Sequence, residues 1–139
     1  MINETTIRVR YQETDQMGVV YHSNYFVWFE IGRTEFFREL DLEYKVMEEN
    51  NILVPVVDVG CKYKVSAKYD DELIIKTKAV LLKSVKIKFE YEIFRSSDKK
   101  LLATGYTIHA FTSNDLKIIN FKNNHEDLFN KIQKTIDKN

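Results

Sequence analysis

An α+β domain is predicted, in which an antiparallel sheet wraps one long buried helix and a further helix closes the C-terminus. Three observations carry this. Apolar residues recur at helical spacing between Asn24 and Leu40. From Val57 the pattern switches to period two and holds through four long segments joined by short polar turns. Helical spacing then returns from Asn124 to Ile136. The 139 residues fit one domain, taken as residues 1–139.

Each element has its own justification. Thr6 to Tyr11 places Ile7, Val9 and Tyr11 on one side and Arg8 and Arg10 on the other, a half-buried strand. In the helix, Tyr25, Phe29, Gly32, Phe36 and Leu40 share a stripe, with Ser23 or Asn24 as the N-cap. The run Tyr25 to Phe29 is too apolar for a surface helix and reads as core, and Gly32 on the stripe implies close approach of another element. Leu42 to Asn50 reads as a shorter helical piece. In the first long strand Val57, Val59, Cys61, Tyr63 and Val65 alternate with Asp58, Gly60, Lys62 and Lys64. Leu73 to Leu82 follows the Tyr69-Asp70-Asp71 turn, with Ile75, Ala79 and Leu81 opposite Lys76 and Lys78. Val85 to Ile93 alternates most cleanly, and Leu102, Thr104, Tyr106, Ile108 and Ala110 form the next strand. Leu116 to Phe121 is read as a short added strand, and Leu128, Ile132 and Ile136 as the stripe of the last helix. The lysines of the strands make a solvated outer face, and the free edges of such a sheet favour dimerisation by edge pairing.

Composition excludes several classes. Twenty-one basic residues balance twenty-one acidic ones, which argues against a general nucleic-acid binder. Cys61 is the one cysteine, so no intrachain disulfide forms; it reads as a small core residue in a reducing, cytoplasmic setting. Met1 to Val9 lacks the apolar run of a signal peptide. No segment approaches the roughly 20 apolar residues of a membrane span, so no membrane insertion is expected. His22, His109 and His125 share no metal-ligand spacing, and His109 reads as structural.

The segment Tyr11 to Tyr25, YQETDQMGVVYHSNY, carries the chemistry. It places Glu13, Asp15 and His22 in a loop that leads into the buried helix. The first N–H groups of a helix lack internal partners and carry partial positive charge. They suit an oxyanion formed from an attacked carbonyl. Asp15, with Gly18 to free the intervening turn, can fold back beside that carbonyl as general base or nucleophile. Glu13 is expected to face solvent or pair with Arg8 or Arg10, and Glu30 to pair with Arg33.

This segment resembles the signature of hotdog-fold acyl-CoA thioesterases of the 4-hydroxybenzoyl-CoA thioesterase type, especially the small bacterial members associated with the Tol-Pal system. The matching residues are Tyr11, Asp15, Gly18, Val19, Val20, Tyr21, His22, Asn24 and Tyr25, and the likeness continues through Tyr69 to Leu73 and on to about Phe121. The resemblance implies a hotdog fold and hydrolysis of an acyl-CoA to free acid and coenzyme A. It implies that Asp15 is the catalytic carboxylate, that the His22 backbone N–H is the oxyanion donor, and that the His22 side chain helps orient thioester or water. Tyr21 and Tyr25 would line the acyl site, and Lys83 and Ser84 would contact the nucleotide end of coenzyme A. A homodimer or homotetramer with the acyl slot at a subunit interface is implied, with no metal, cofactor or prosthetic group. Two alternatives stay open: hydrolysis of an acyl carrier protein thioester, and a non-catalytic acyl-CoA-binding module.

Overall fold

A computed structural model describes residues 1–139. Its elements run β1 (Asn3–Arg8), a 3-10 turn (Tyr11–Glu13), α1 (Asn24–Glu39), α2 (Tyr44–Glu49), β2 (Val56–Tyr63), β3 (Glu72–Leu82), β4 (Lys86–Arg95), β5 (Leu101–Ala110), α3 (Phe121–Asn124) and α4 (Glu126–Asp137). The strands form one antiparallel sheet in the order β1-β3-β4-β5-β2. α1 packs on its inner face. Four of the five residues of the expected stripe are buried: Tyr25, Phe29, Gly32 and Phe36 meet the sheet, and Trp28 and Phe37 widen the contact, while Leu40 caps the helix and is half-buried. Phe29 stacks on Tyr91 with ring centroids 4.4 Å apart, an arrangement open to it because Gly105 opposite has no side chain. Gly32 lies so close to Thr77 Oγ1 and Ile75 Cγ2 that no Cβ could fit there.

Period-two alternation locates the strands but loses the face wherever a bulge intervenes, because one inserted residue reverses every side chain beyond it. In β3 the register shifts between Ala79 and Leu81, so Leu82 is buried and Leu81 is not. In β5 it shifts beside Phe94, so Leu102 and Ala103 are both buried. Thereafter Thr107 and His109 point inward, while Thr104, Tyr106 and Ile108 lie on the outer side. The inner face of β5 is thus its small and polar side, the reverse of what hydrophobicity suggests.

β1 starts and ends three residues earlier than the alternation suggests. The chain leaves the sheet at Arg8, and Tyr11 is exposed. Residues 116–121 form no strand; Thr112 makes isolated bridges with Ile118 and Leu53. On α4 the buried residues are Phe129, Ile132 and Thr135, with Leu128 and Ile136 at the margin.

The two sheet edges differ. β1 carries charged groups, with Glu4 paired to Lys76 and Arg8 to Glu72. β2 is bare: Val56, Val57, Val59 and Tyr63 are all more than 40% exposed although three of them are valines. Cys61, on the same strand, is half-buried.

Candidate active site

The site loop is built around Glu13, whose side chain is almost fully buried. One carboxylate oxygen accepts the Arg10 backbone N–H at 2.8 Å and the other accepts the Trp28 indole N–H at 3.0 Å. The Arg10 guanidinium lies 3.5 Å away and supplies the counter-charge. The expected Arg10 pairing is present, and exposure to solvent is not. The Glu13 carbonyl accepts the Tyr21 N–H at 2.8 Å and the Asn24 side-chain amide at 3.0 Å. One residue therefore ties the start of the loop, its end and the first turn of α1 together. Ser23 occupies the cap position without a capping side-chain bond; the Asn24 side chain, donating backwards, closes the turn instead.

Between these ties, residues 14–20 form a small hairpin. Thr14 bridges Val20, and the Asp15 N–H donates to the Val19 carbonyl at 2.8 Å. The Gly18 N–H donates back to the Asp15 carbonyl at 3.0 Å, and Gly18 takes a φ of 76° with open space around it. Val19 and Val20 bind the hairpin to Lys68 and Ala67. Asp15 is half-buried. Its Oδ1 accepts the Met17 N–H at 2.8 Å, and Oδ2 has no partner within the chain.

At the start of α1 the Tyr21, Asn24, Tyr25 and Phe26 N–H groups all have acceptors, whereas those of His22 and Ser23 have none. They are exposed donors at the positive end of a 16-residue helix. The His22 carbonyl accepts the Tyr63 hydroxyl at 3.2 Å, and the imidazole lies against Tyr21, ring centroids 4.4 Å apart.

The other expected site residues fall in different places. Tyr21 is half exposed beside His22. Tyr25 is buried against Trp28 and Tyr63 and accepts the Ala67 N–H; burial pushes its phenol above the usual range, and it serves as core. Lys83 and Ser84 occupy the β3–β4 turn. That turn is at the far end of an 11-residue strand, about 35 Å from the Asp15 loop at strand spacing. One chain does not bring them to Asp15. Glu30 is exposed and makes no ion pair with Arg33.

Sequence reasoning missed Trp28 and Tyr63 as parts of this site and gave Glu13 too small a role. A signal for the first existed: a buried indole N–H needs an acceptor, and the loop carries one spare acid. No group of three or more His, Cys, Asp or Glu side chains is arranged to hold a metal ion. No helix is long and apolar enough to cross a membrane. A hollow of about 620 Å³ between Lys76, Lys78, Glu90, Glu92 and Tyr106 opens on the outer sheet face, remote from the Asp15 loop.

Comparison with known proteins places this geometry in a family. The model of the thioesterase-like superfamily matches residues 9–129. The chain is 40% identical over 93 residues to YneP of Bacillus subtilis, provisionally named an acyl-CoA thioesterase, covering 67% of each chain. It is 37% identical over 92 residues to the acyl-CoA thioesterase YbgC of Haemophilus influenzae, covering 66% of this chain and 68% of that one. Among solved structures, the DHNA-CoA thioesterase of Staphylococcus aureus superposes with a TM-score of 0.90 at 33% identity, covering 96% of this chain and 89% of that one. The matched span contains the Glu13-anchored hairpin, the whole of α1 and all four long strands, so this chain belongs to the thioesterase-like superfamily and has its hotdog fold.

Proposed function

We propose that the protein hydrolyses acyl-CoA thioesters, with Asp15 as the catalytic carboxylate and the free His22 N–H as the oxyanion donor. The observation that carries this reading is that one loop, tied at both ends by Glu13, holds an unpartnered carboxylate oxygen on Asp15 and unpartnered main-chain donors at His22 and Ser23. The names of the relatives support the substrate class. Asp15 takes a proton from water, and the water oxygen attacks the thioester carbonyl carbon. The carbonyl oxygen gains negative charge against the N–H of His22. The C–S bond then breaks, and the leaving thiolate recovers the proton. In the nucleophilic variant the Asp15 carboxylate attacks first, and water opens the resulting anhydride.

The bare β2 edge supports a two-fold dimer. Antiparallel pairing of β2 with β2 of a second copy sets the partner's Val56 end beside Tyr63 and the Asp15 hairpin. In each chain Val56 is level with His109, His109 with Ile87, and Ile87 with Leu82 at the start of the β3–β4 turn. The partner subunit's Lys83 and the partner subunit's Ser84 thus reach the end of the sheet where Asp15 lies. The separation seen within one chain becomes proximity between chains, and a nucleotide there would cross from one subunit to the other.

The test is thiol release from an acyl-CoA panel by wild type and Asp15→Asn. Loss of about 10²–10⁴ in kcat with KM little changed supports the reading. Equal turnover by both proteins overturns it. Single-turnover hydrolysis in ¹⁸O-water separates the routes, because only the nucleophilic one places label in Asp15.

A further inference from the structure

The winding of α1 begins before the helix proper. The N–H groups of Asn24, Tyr25 and Phe26 donate to the carbonyls of Tyr21, His22 and Ser23 at 3.0, 3.2 and 3.2 Å, three successive bonds of 3-10 type. Ser23 itself has helical dihedrals, φ −64° and ψ −22°. Residues 21–26 are therefore already coiled, and the first N–H groups of the coil without an acceptor are those of His22 and Ser23. Successive N–H groups of such a coil point the same way, toward the helix start. Both free donors thus face the side where the positive end of α1 lies.

The two peptides that carry these donors are held alike. The Tyr21 carbonyl, on the peptide of the His22 N–H, accepts the Asn24 N–H at 3.0 Å and the Asn24 side-chain amide at 3.3 Å. The His22 carbonyl, on the peptide of the Ser23 N–H, accepts the Tyr25 N–H at 3.2 Å and the Tyr63 hydroxyl at 3.2 Å. Each therefore has one main-chain donor and one side-chain donor behind it. A peptide is planar and trans, so its N–H points opposite its carbonyl. A hydroxyl that fixes the His22 carbonyl also fixes the direction of the Ser23 N–H, and by polarising that peptide it makes the N–H a stronger donor. Tyr63 is well held for this task. It ends β2, and its ring stands edge-on to the buried Tyr25, centroids 5.0 Å apart. Partial burial, with the neighbouring Cys61 thiol, pushes its phenol up to about 12, so the proton stays in place to donate.

We propose that the oxyanion is received by two donors, the N–H groups of His22 and Ser23, and that Tyr63 is the positioning residue that aims the second. The proposal rests on the hydrolytic reading and adds to it a second donor and a side chain from the sheet edge.

Tyr63→Phe removes one half-exposed hydroxyl and keeps the ring that packs on Tyr25, so the fold survives it. kcat for hexanoyl-CoA should fall about tenfold with KM changed less than about twofold, a smaller loss than the roughly 10²–10³ of a donor deleted outright. The second measurement needs no turnover. It uses the ketone analogue of hexanoyl-CoA in which CH₂ replaces sulfur, labelled with ¹³C at the carbonyl. Hydrogen bonds from the two N–H groups lower the infrared frequency of that carbonyl when the analogue saturates wild type, and Tyr63→Phe should lower it less. A merely structural role for Tyr63 would change the amount of folded enzyme and leave the bound frequency where it is. An unchanged kcat, or a fall in kcat with the bound frequency unmoved, overturns the proposal. Asp15→Asn keeps both N–H groups, so it should abolish hydrolysis while retaining the lowered frequency. Equal turnover by Asp15→Asn and wild type sinks the role of Asp15 alone, because the frequency in Tyr63→Phe decides the two-donor arrangement in either case.

Discussion

Acidification from pH 7 to pH 5 should loosen this protein through one buried ring. His109 is fully buried, with Nδ1 3.0 Å from the Val54 carbonyl and Nε2 2.7 Å from Thr107 Oγ1. The Tyr91 hydroxyl completes the chain at 2.6 Å from Thr107. One proton order satisfies all four groups: Nδ1–H donates to Val54, Thr107 donates to Nε2, and Tyr91 donates to Thr107. That order requires a neutral imidazole. Burial lowers the His109 pKa from 6.5 to about 4, against a smaller opposing pull from the Val54 carbonyl. The depressed value means that the unfolded chain takes up a proton which the folded chain refuses. The stability so gained is whole above pH 6.5 and is lost progressively down to about pH 4. Between pH 7 and pH 5 the loss amounts to about 2 kcal/mol, out of about 3 kcal/mol available from the full gap. Urea unfolding at both pH values, for wild type and His109→Gln at one protein concentration, isolates the contribution. Wild type should lose about 2 kcal/mol more than the variant over this range. Identical losses, or a His109 resonance titrating near 6.5 in the folded protein, would refute the reasoning.

Other outcomes follow from the same contacts. Trp28→Phe keeps the apolar ring but deprives the Glu13 carboxylate of a donor; urea unfolding should show a loss of about 1–3 kcal/mol, with kcat falling as the hairpin slackens. Gly32→Ala drives a methyl group into Thr77 and Ile75 and should lose about 1–3 kcal/mol, part of it recovered by adding Thr77→Ala. Val59→Asp puts a charge on the bare β2 edge; light scattering should show monomers, with thiol release falling alongside the dimer fraction.

Much of this was legible in the chain itself, for identifiable reasons. Helical spacing is a local property, so the α1 stripe of Tyr25, Phe29, Gly32 and Phe36 is read correctly, including the tight contact at Gly32. The Asp15-to-Tyr25 run is continuous in sequence, which makes its acid, its turn at Gly18 and the helix start recognisable without coordinates, whereas the hairpin that Thr14 and Val20 close is not. Three things were not legible. Bulges in β3 and β5 leave no mark in hydrophobicity, so the inward turn of His109 and Thr107 is invisible. The Glu13–Trp28 bond joins residues fifteen apart, and its meaning depends on burial. Lys83 and Ser84 enter only through the resemblance, as contacts for the nucleotide end of coenzyme A, and the 11-residue strand that sets them far from Asp15 in one chain is a property of the fold.

The unequal edges of the sheet set a limit on growth. A molecule with two sticky borders can polymerise without end, each copy offering the next a fresh template. Here the β1 border is blunted by Glu4 and Arg8, each already engaged with its neighbours, and only the valine-lined border invites company. In the dimer proposed above, two copies clasped along it leave no attractive rim, and the ribbon closes on itself as a finite body rather than a filament.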